Sequence, residues 1–170
     1  MRKVLTALLI SLFPIFSCYG QDNPYIFIEH ERITLRYSTR SQVEKLLGSS
    51  EKVEYFEQGG EDFLWKNFFV CSYDGSKLSF HYDQNGTIIR VTVNAEYSRE
   101  VRFLEKDIKY LYKKDIQDLI KTVREQDVFI SQNFIMYEHT QVPNAEIIYS
   151  FWFDDTEKIQ WIDMYHVYPL

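Results

Sequence analysis

A hydrophobic pattern that occurs twice constrains this chain more than any other feature. Lys77-Leu78-Ser79-Phe80-His81-Tyr82-Asp83-Gln84-Asn85-Gly86-Thr87-Ile88-Ile89-Arg90-Val91-Thr92-Val93 returns, 71 residues later, as Ile148 to Met164. Ser79 matches Ser150, Phe80 matches Phe151, Tyr82 matches Phe153, Asp83 matches Asp154, Ile88 matches Ile159 and Val91 matches Ile162. Aromatic and β-branched residues alternate with period two on both sides of a turn signal, which is the pattern of a half-buried strand pair. Asn85-Gly86 predicts a two-residue type I′ turn, whose two positive φ angles these residues tolerate. Counting from that turn pairs Tyr82 with Ile89, Phe80 with Val91 and Leu78 with Val93 on a buried face, and His81 with Arg90 and Ser79 with Thr92 on the other. In the second hairpin Tyr149/Met164 and Phe151/Ile162 point inward. Trp152/Trp161, Ser150/Asp163 and Ile148/Tyr165 point outward.

Each hairpin follows a helix signal. Ser38 or Thr39 offers an N-cap oxygen, Val43, Leu46 and Leu47 recur at helical spacing, and Gly48 suits a left-handed stop. Ile116, Leu119 and Ile120 repeat that spacing 73 residues on, in a helix expected to begin at Lys113 and run to Val123 or Glu125. Tyr25 to Ile28, Arg32 to Leu35, Glu51 to Gln58, Phe63 to Tyr73 and Asp127 to Glu138 read as extended. These signals predict an α+β fold: two tandem helix-plus-antiparallel-strand repeats, about 30–95 and 96–168, forming one twisted sheet with helices on one face.

Residues 1–20 form the pattern of a signal peptide, with basic Arg2-Lys3, an apolar run from Val4 to Phe16, and small residues at Ser17 and Gly20. The run is too short for a bilayer span, which needs roughly 20 apolar residues, so no membrane span is expected. Two processing routes are open: cleavage after Gly20, or lipidation of Cys18 in the lipobox-like Ile15-Phe16-Ser17-Cys18. The chain is therefore expected to be exported to the periplasm, cell envelope or extracellular space, with residues 21–170 as one domain. Loss of the leader leaves 17 basic against 25 acidic residues, a net charge of −8. That balance argues against a nucleic-acid partner.

The elements also carry a resemblance. An extended segment, a Ser/Thr cap at Ser38 or Thr39, and the run Val43, Leu46, Leu47, Gly48 are followed by Tyr73-Asp74-Gly75, Leu78, Phe80, Asn85-Gly86, Ile88 and Val91. This resembles the α/β repeat of the β-lactamase-inhibitor-protein-like and outer-membrane-assembly-lipoprotein-like families. The resemblance implies a non-enzymatic module that binds a protein partner, or an envelope-assembly scaffold. It assigns no individual inhibitory residue here.

Nothing in the sequence signals catalysis. His-Glu-x-x-His, Cys-x-x-Cys and Gly-rich phosphate loops are lacking, so neither metal nor cofactor is expected, and Cys71 fits a small buried hydrophobe. A further reading, a small secreted hydrolase or ligand carrier, would need Glu29, His30, His81 and His139 brought together. The binding residues expected instead are Trp152, Trp161 and Tyr165, with His81 and Arg90, because aromatics and Arg on a helix-free sheet face are the usual anchors of an interface. Their alternative fate is burial under Tyr25 to Ile28 or a long loop.

Overall fold

The computed structural model describes residues 25–59, 65–103, 106–121, 127–139 and 147–167. Twelve strands and two α-helices make up the described chain, with strands at 56% and helices at 16%. The leader and Cys18 lie outside the described residues.

The first unit runs β1 (Tyr25–Ile28), β2 (Glu31–Thr34), α1 (Arg40–Leu47), β3 (Lys52–Gly59), β4 (Trp65–Tyr73), β5 (Leu78–Tyr82) and β6 (Ile88–Asn94). After it come β7 (Val101–Phe103), β8 (Lys106–Asp107), a 3₁₀ turn at Ile108–Tyr110 and α2 (Lys113–Ile120). The chain ends with β9 (Val128–Ile130), β10 (Phe134–His139), β11 (Ile147–Phe153) and β12 (Ile159–His166). Eight strands form one antiparallel sheet in the order β3-β4-β5-β6-β12-β11-β10-β9, and four form a second, β2-β1-β7-β8.

This arrangement overturns the predicted α+β fold of two helix-plus-strand repeats on a single sheet. The protein is mainly β, and Tyr25 to Ile28, read as extended, pairs with Val101 to Phe103, which carried no strand reading, in a second sheet. Short strands show no alternation long enough to reveal their partner, so only the three-dimensional pairing exposes the second layer. The small sheet supplies Ile26, Ile28, Ile33, Val101 and Phe103 to one continuous core with Leu78, Phe80, Tyr82, Phe151 and Met164 of the large sheet. Val43 of α1 and Ile116 and Ile120 of α2 join the same core. Phe103 joins the layers, its ring 5.5 Å from Phe151 and 6.0 Å from Tyr149.

Local chemistry accounts for the helices. Thr39 caps α1 in a capping box: its Oγ1 accepts from the Gln42 N–H while Gln42 Oε1 accepts from the Thr39 N–H at 2.8 Å. Tyr112 begins α2, and its N–H donates to Asp115 Oδ2 at 2.9 Å. Each helix also rests on a hairpin turn. Arg40 N–H donates to the Gly86 carbonyl and Lys113 N–H to the Glu157 carbonyl, both at 2.8 Å, so the turn satisfies a donor that a helix start leaves open. Among the described residues α2 runs from Lys113 to Ile120; the expected end at Val123 or Glu125 lies outside them.

Both hairpins keep the counted register away from the turn, including Phe80 opposite Val91, Phe151 opposite Ile162 and Trp152 opposite Trp161. The turn itself differs from the expected type I′. Only Gly86 has positive φ (77°), Gly86 N–H donates to the Asp83 carbonyl, and Tyr82 pairs with Ile88 rather than Ile89. A three-residue loop followed by a bulge shifts the register and then restores it. Glu157 (φ 63°) takes the glycine's place in the second hairpin, a left-handed conformation that costs a non-glycine residue roughly 1–2 kcal/mol. Asp154 offsets part of this, its Oδ1 accepting from the Thr156 and Lys158 N–H groups at 2.8 and 3.0 Å. The single strand expected over Asp127 to Glu138 is instead the β9–β10 hairpin.

Candidate functional site: the helix-free sheet face

The face of the large sheet turned away from the core is ordered by register into rows that cross the strands. One row runs Phe134, Trp152, Trp161, Asn94; the next runs Phe129, Met136, Ser150, Asp163, Thr92, Ser79; a third runs Glu138, Ile148, Tyr165, Arg90, His81, Val70. The five expected binding residues all lie in these rows, yet they divide into two environments.

Tyr165 is buried, 3% exposed, whereas His81 and Arg90 are half-buried. The start of β4 places Trp65, 4% exposed, with Phe68, Ile89 and Tyr165 in a second small core. The Trp65 ring centroid lies 5.8 Å from His81 and 6.1 Å from Tyr165, and its Nε1–H donates to the His166 carbonyl at 2.8 Å. His81 stacks on Phe68 at 5.7 Å with nearly parallel planes. The covering segment among the described residues is therefore not Tyr25 to Ile28, which packs on the opposite face. It is a strand end turned by Asn67, which sits at φ 52° and breaks the alternation, so that Trp65 and Phe68 meet on one side.

Arg90 is held from both sides. Its Nε donates to Asp163 Oδ1 at 2.8 Å and its Nη2 to Asp163 Oδ2, while Thr92 Oγ1 donates to the same carboxylate at 2.9 Å. The guanidinium also faces the rings of Tyr165 and Trp65 at 5.5 and 5.8 Å, within reach of a cation–π attraction. Asp163, the anchor of this network, carried no sequence signal beyond its pairing with Ser150.

Trp152 and Trp161 remain at the surface. Trp152 is 37% exposed, its ring 4.9 Å from that of Phe134, and Trp161 beside it in register is half-buried. Phe129, 6.2 Å from Phe134 and 55% exposed, extends the aromatic surface to the last strand. Phe129 and Phe134 were not among the expected residues, because reading Asp127 to Glu138 as one strand concealed their hairpin.

Burial, and secondarily the Arg90 charge, push the His81 imidazole down to about 3 from 6.5, and its Nδ1 is out of water without a hydrogen-bond partner. The folded ring resists a proton that the unfolded chain accepts, so stability should fall as pH drops from about 6.5 toward 3. The urea midpoint is expected to decline between pH 7 and 4 and to do so much less in His81→Phe; parallel declines would refute this source. Hydrogen bonds hold Asp74, Asp115, Asp118 and Asp154 below 3.8, so their contributions are lost only at lower pH.

The residues of the hydrolase reading are not brought together. Glu29 and His30 occupy the β1–β2 turn, Glu29 paired with Arg99, whereas His81 belongs to the large sheet. Among the described residues no group of three or more His, Cys, Asp or Glu is placed to hold a metal ion, and no helix is long and apolar enough to cross a membrane. Cys71 is buried, and desolvation raises its thiol pKa, which disfavours the nucleophilic thiolate.

Fold and site together define a two-layered, mainly β protein with one helix-free sheet face, part clasped and part aromatic and open. Compared with family models, curated proteins and solved structures, the chain has no match. The inhibitor-like and assembly-lipoprotein-like resemblance rests on its quoted motifs alone.

Proposed function

We propose that the chain is an exported, non-enzymatic module that binds a protein partner through the helix-free face of the large sheet. The observation that carries this reading is the open row Phe134, Trp152, Trp161. Large, stiff aromatics on hydrogen-bonded strands present contact area with little entropy left to lose on association. The clasp adds to that rigidity by anchoring β12, the strand of Trp161, to Trp65 through His166.

The test compares partner capture from a cell-envelope extract by the wild type and by a Trp152→Ala, Trp161→Ala double variant of unchanged circular dichroism. Loss of a central aromatic anchor costs about 2 kcal/mol or more, roughly a 30-fold weakening. The same captured set at the same yield would refute the reading.

A further inference from the structure

The open half of the face ends at β9, the last strand of the large sheet among the described residues. Ser131 N–H donates to the Phe134 carbonyl at 2.8 Å, closing the hairpin with a bonded pair at Ser131 and Phe134. Antiparallel pairs alternate between bonded and non-bonded. In the register Ile130–Ile135, Phe129–Met136, Val128–Tyr137, the bonded pair after Ser131 is therefore Phe129, and the peptide groups of Val128 and Ile130 point away from β10. The two edges of the sheet also differ. β3 carries Lys52, Glu54 and Glu57 along its length, the kind of charge that blunts an edge, whereas Val128-Phe129-Ile130 has none, with Phe129 and Ile130 about half exposed.

Charge selects the occupant. Lys158 is the single Lys or Arg in residues 127–170, against seven acidic residues, so this stretch carries −6 of the −8 left once the leader is lost; Arg90 meets Asp163, and Lys113 Nζ donates to the Ser131 and Gln132 carbonyls at the hairpin turn, which leaves −4. A second copy would bring a like-charged edge to this one. We infer that β9 is a docking edge for an extended, basic segment of the protein partner, which adds as a strand beside Val128 and Ile130 and lays its apolar side chains against Phe129 and Phe134. This rests on the protein-binding reading and names the chemistry of the partner. Main-chain bonds would supply strand addition, the aromatic row the side-chain contacts, and the net negative charge of residues 127–170 the steering.

The probe is a fluorescein-labelled heptapeptide alternating lysine with valine and phenylalanine, titrated against the whole protein by anisotropy. The expected result is binding that weakens as salt is raised, that a glutamate-for-lysine peptide lacks, and that is accompanied by slowed amide exchange at Val128 and Ile130. Ile130→Pro removes an outward N–H without touching the β9–β10 bonds and should weaken binding about tenfold, ~1.4 kcal/mol. A peptide N-methylated on alternate amides should lose as much with the protein unaltered, which keeps the test sound if Ile130→Pro misfolds. Equal binding of the acidic peptide, indifference to both backbone changes, or Ile130-dependent dimerisation in sedimentation velocity would each overturn the inference. If Trp152→Ala still abolishes partner capture while the backbone changes do nothing, the face is the binding surface and only strand addition fails; if neither matters, both fall.

Discussion

Trp65→Ala is expected to destabilise the fold by about 3–5 kcal/mol, the range for removing a buried tryptophan, although Trp65 lies in the smaller of the two cores. Its ring, 4% exposed, touches Phe68, His81 and Tyr165, and its Nε1–H bonds a carbonyl 101 residues away. One truncation thus opens a cavity, removes the bond to the His166 carbonyl and loosens the start of β4. For a domain of this size each kcal/mol lowers the melting temperature by roughly 2–4 °C, so a fall of about 10 °C should be visible calorimetrically. Trp65→Phe keeps most of the packing and loses the hydrogen bond, and about 1–2 kcal/mol is expected. The alanine variant should also flatten the acid-side stability loss attributed to His81, because water would reach the ring. A loss below about 1 kcal/mol in Trp65→Ala would mean that the start of β4 lies loosely on the sheet and that the face beneath it is open.

How far the sequence led depends on the range of the interactions involved. The start of α1 was legible because a cap, an apolar spacing and a stop lie within ten residues of one another, and Thr39 with Gln42 forms the box such spacing allows; α2 was legible from its apolar spacing alone. Hairpin register was legible because a buried face fixes it: a one-residue slip would turn Phe80 and Val91 outward. The turns were misread in type, yet the error did not spread. The bulge facing His81 and Tyr82, and its counterpart facing Trp152 and Phe153, absorb the extra loop residue.

What stayed hidden depends on pairings between distant segments. β1 meets β7 across about 75 residues, and strands of three or four residues give no sign of it, so Tyr25 to Ile28 and Arg32 to Leu35 were read as extended without their partner and the fold class came out wrong. Of the candidate face, Trp152 and Trp161 were placed correctly by parity alone. The covering of His81, Arg90 and Tyr165 hangs on Asn67, where a left-handed residue inside a strand cancels parity. Asparagine is the residue type in which such a φ is least surprising, but its presence in a strand does not announce the turn.

The Arg90–Asp163 pair is expected to show the second large effect, and an unequal one. Asp163 is 2% exposed and Arg90 28%. Arg90→Leu leaves a carboxylate inside the sheet without its guanidinium, and breaking a buried pair from that side costs about 3–5 kcal/mol. Asp163→Leu leaves a guanidinium that already reaches water and faces the rings of Trp65 and Tyr165, so about half that cost is expected. The double Leu variant should recover much of the Arg90→Leu loss, because two apolar groups of similar shape replace a desolvated pair, so the coupling in the cycle should exceed the whole Asp163→Leu loss, more than about 2 kcal/mol. Equal single effects, or a double variant no better than Arg90→Leu, would show that the carboxylate is satisfied without Arg90. The pair lies where β6 meets β12, with Thr92 opposite Asp163 and Arg90 opposite Tyr165. That seam joins strands drawn from 52–94 to strands drawn from 128–166. Amide exchange in Arg90→Leu should therefore rise first in β6 and β12 rather than at the edges, and partner capture should fall with it, because Trp161 rides on the strand that loosens.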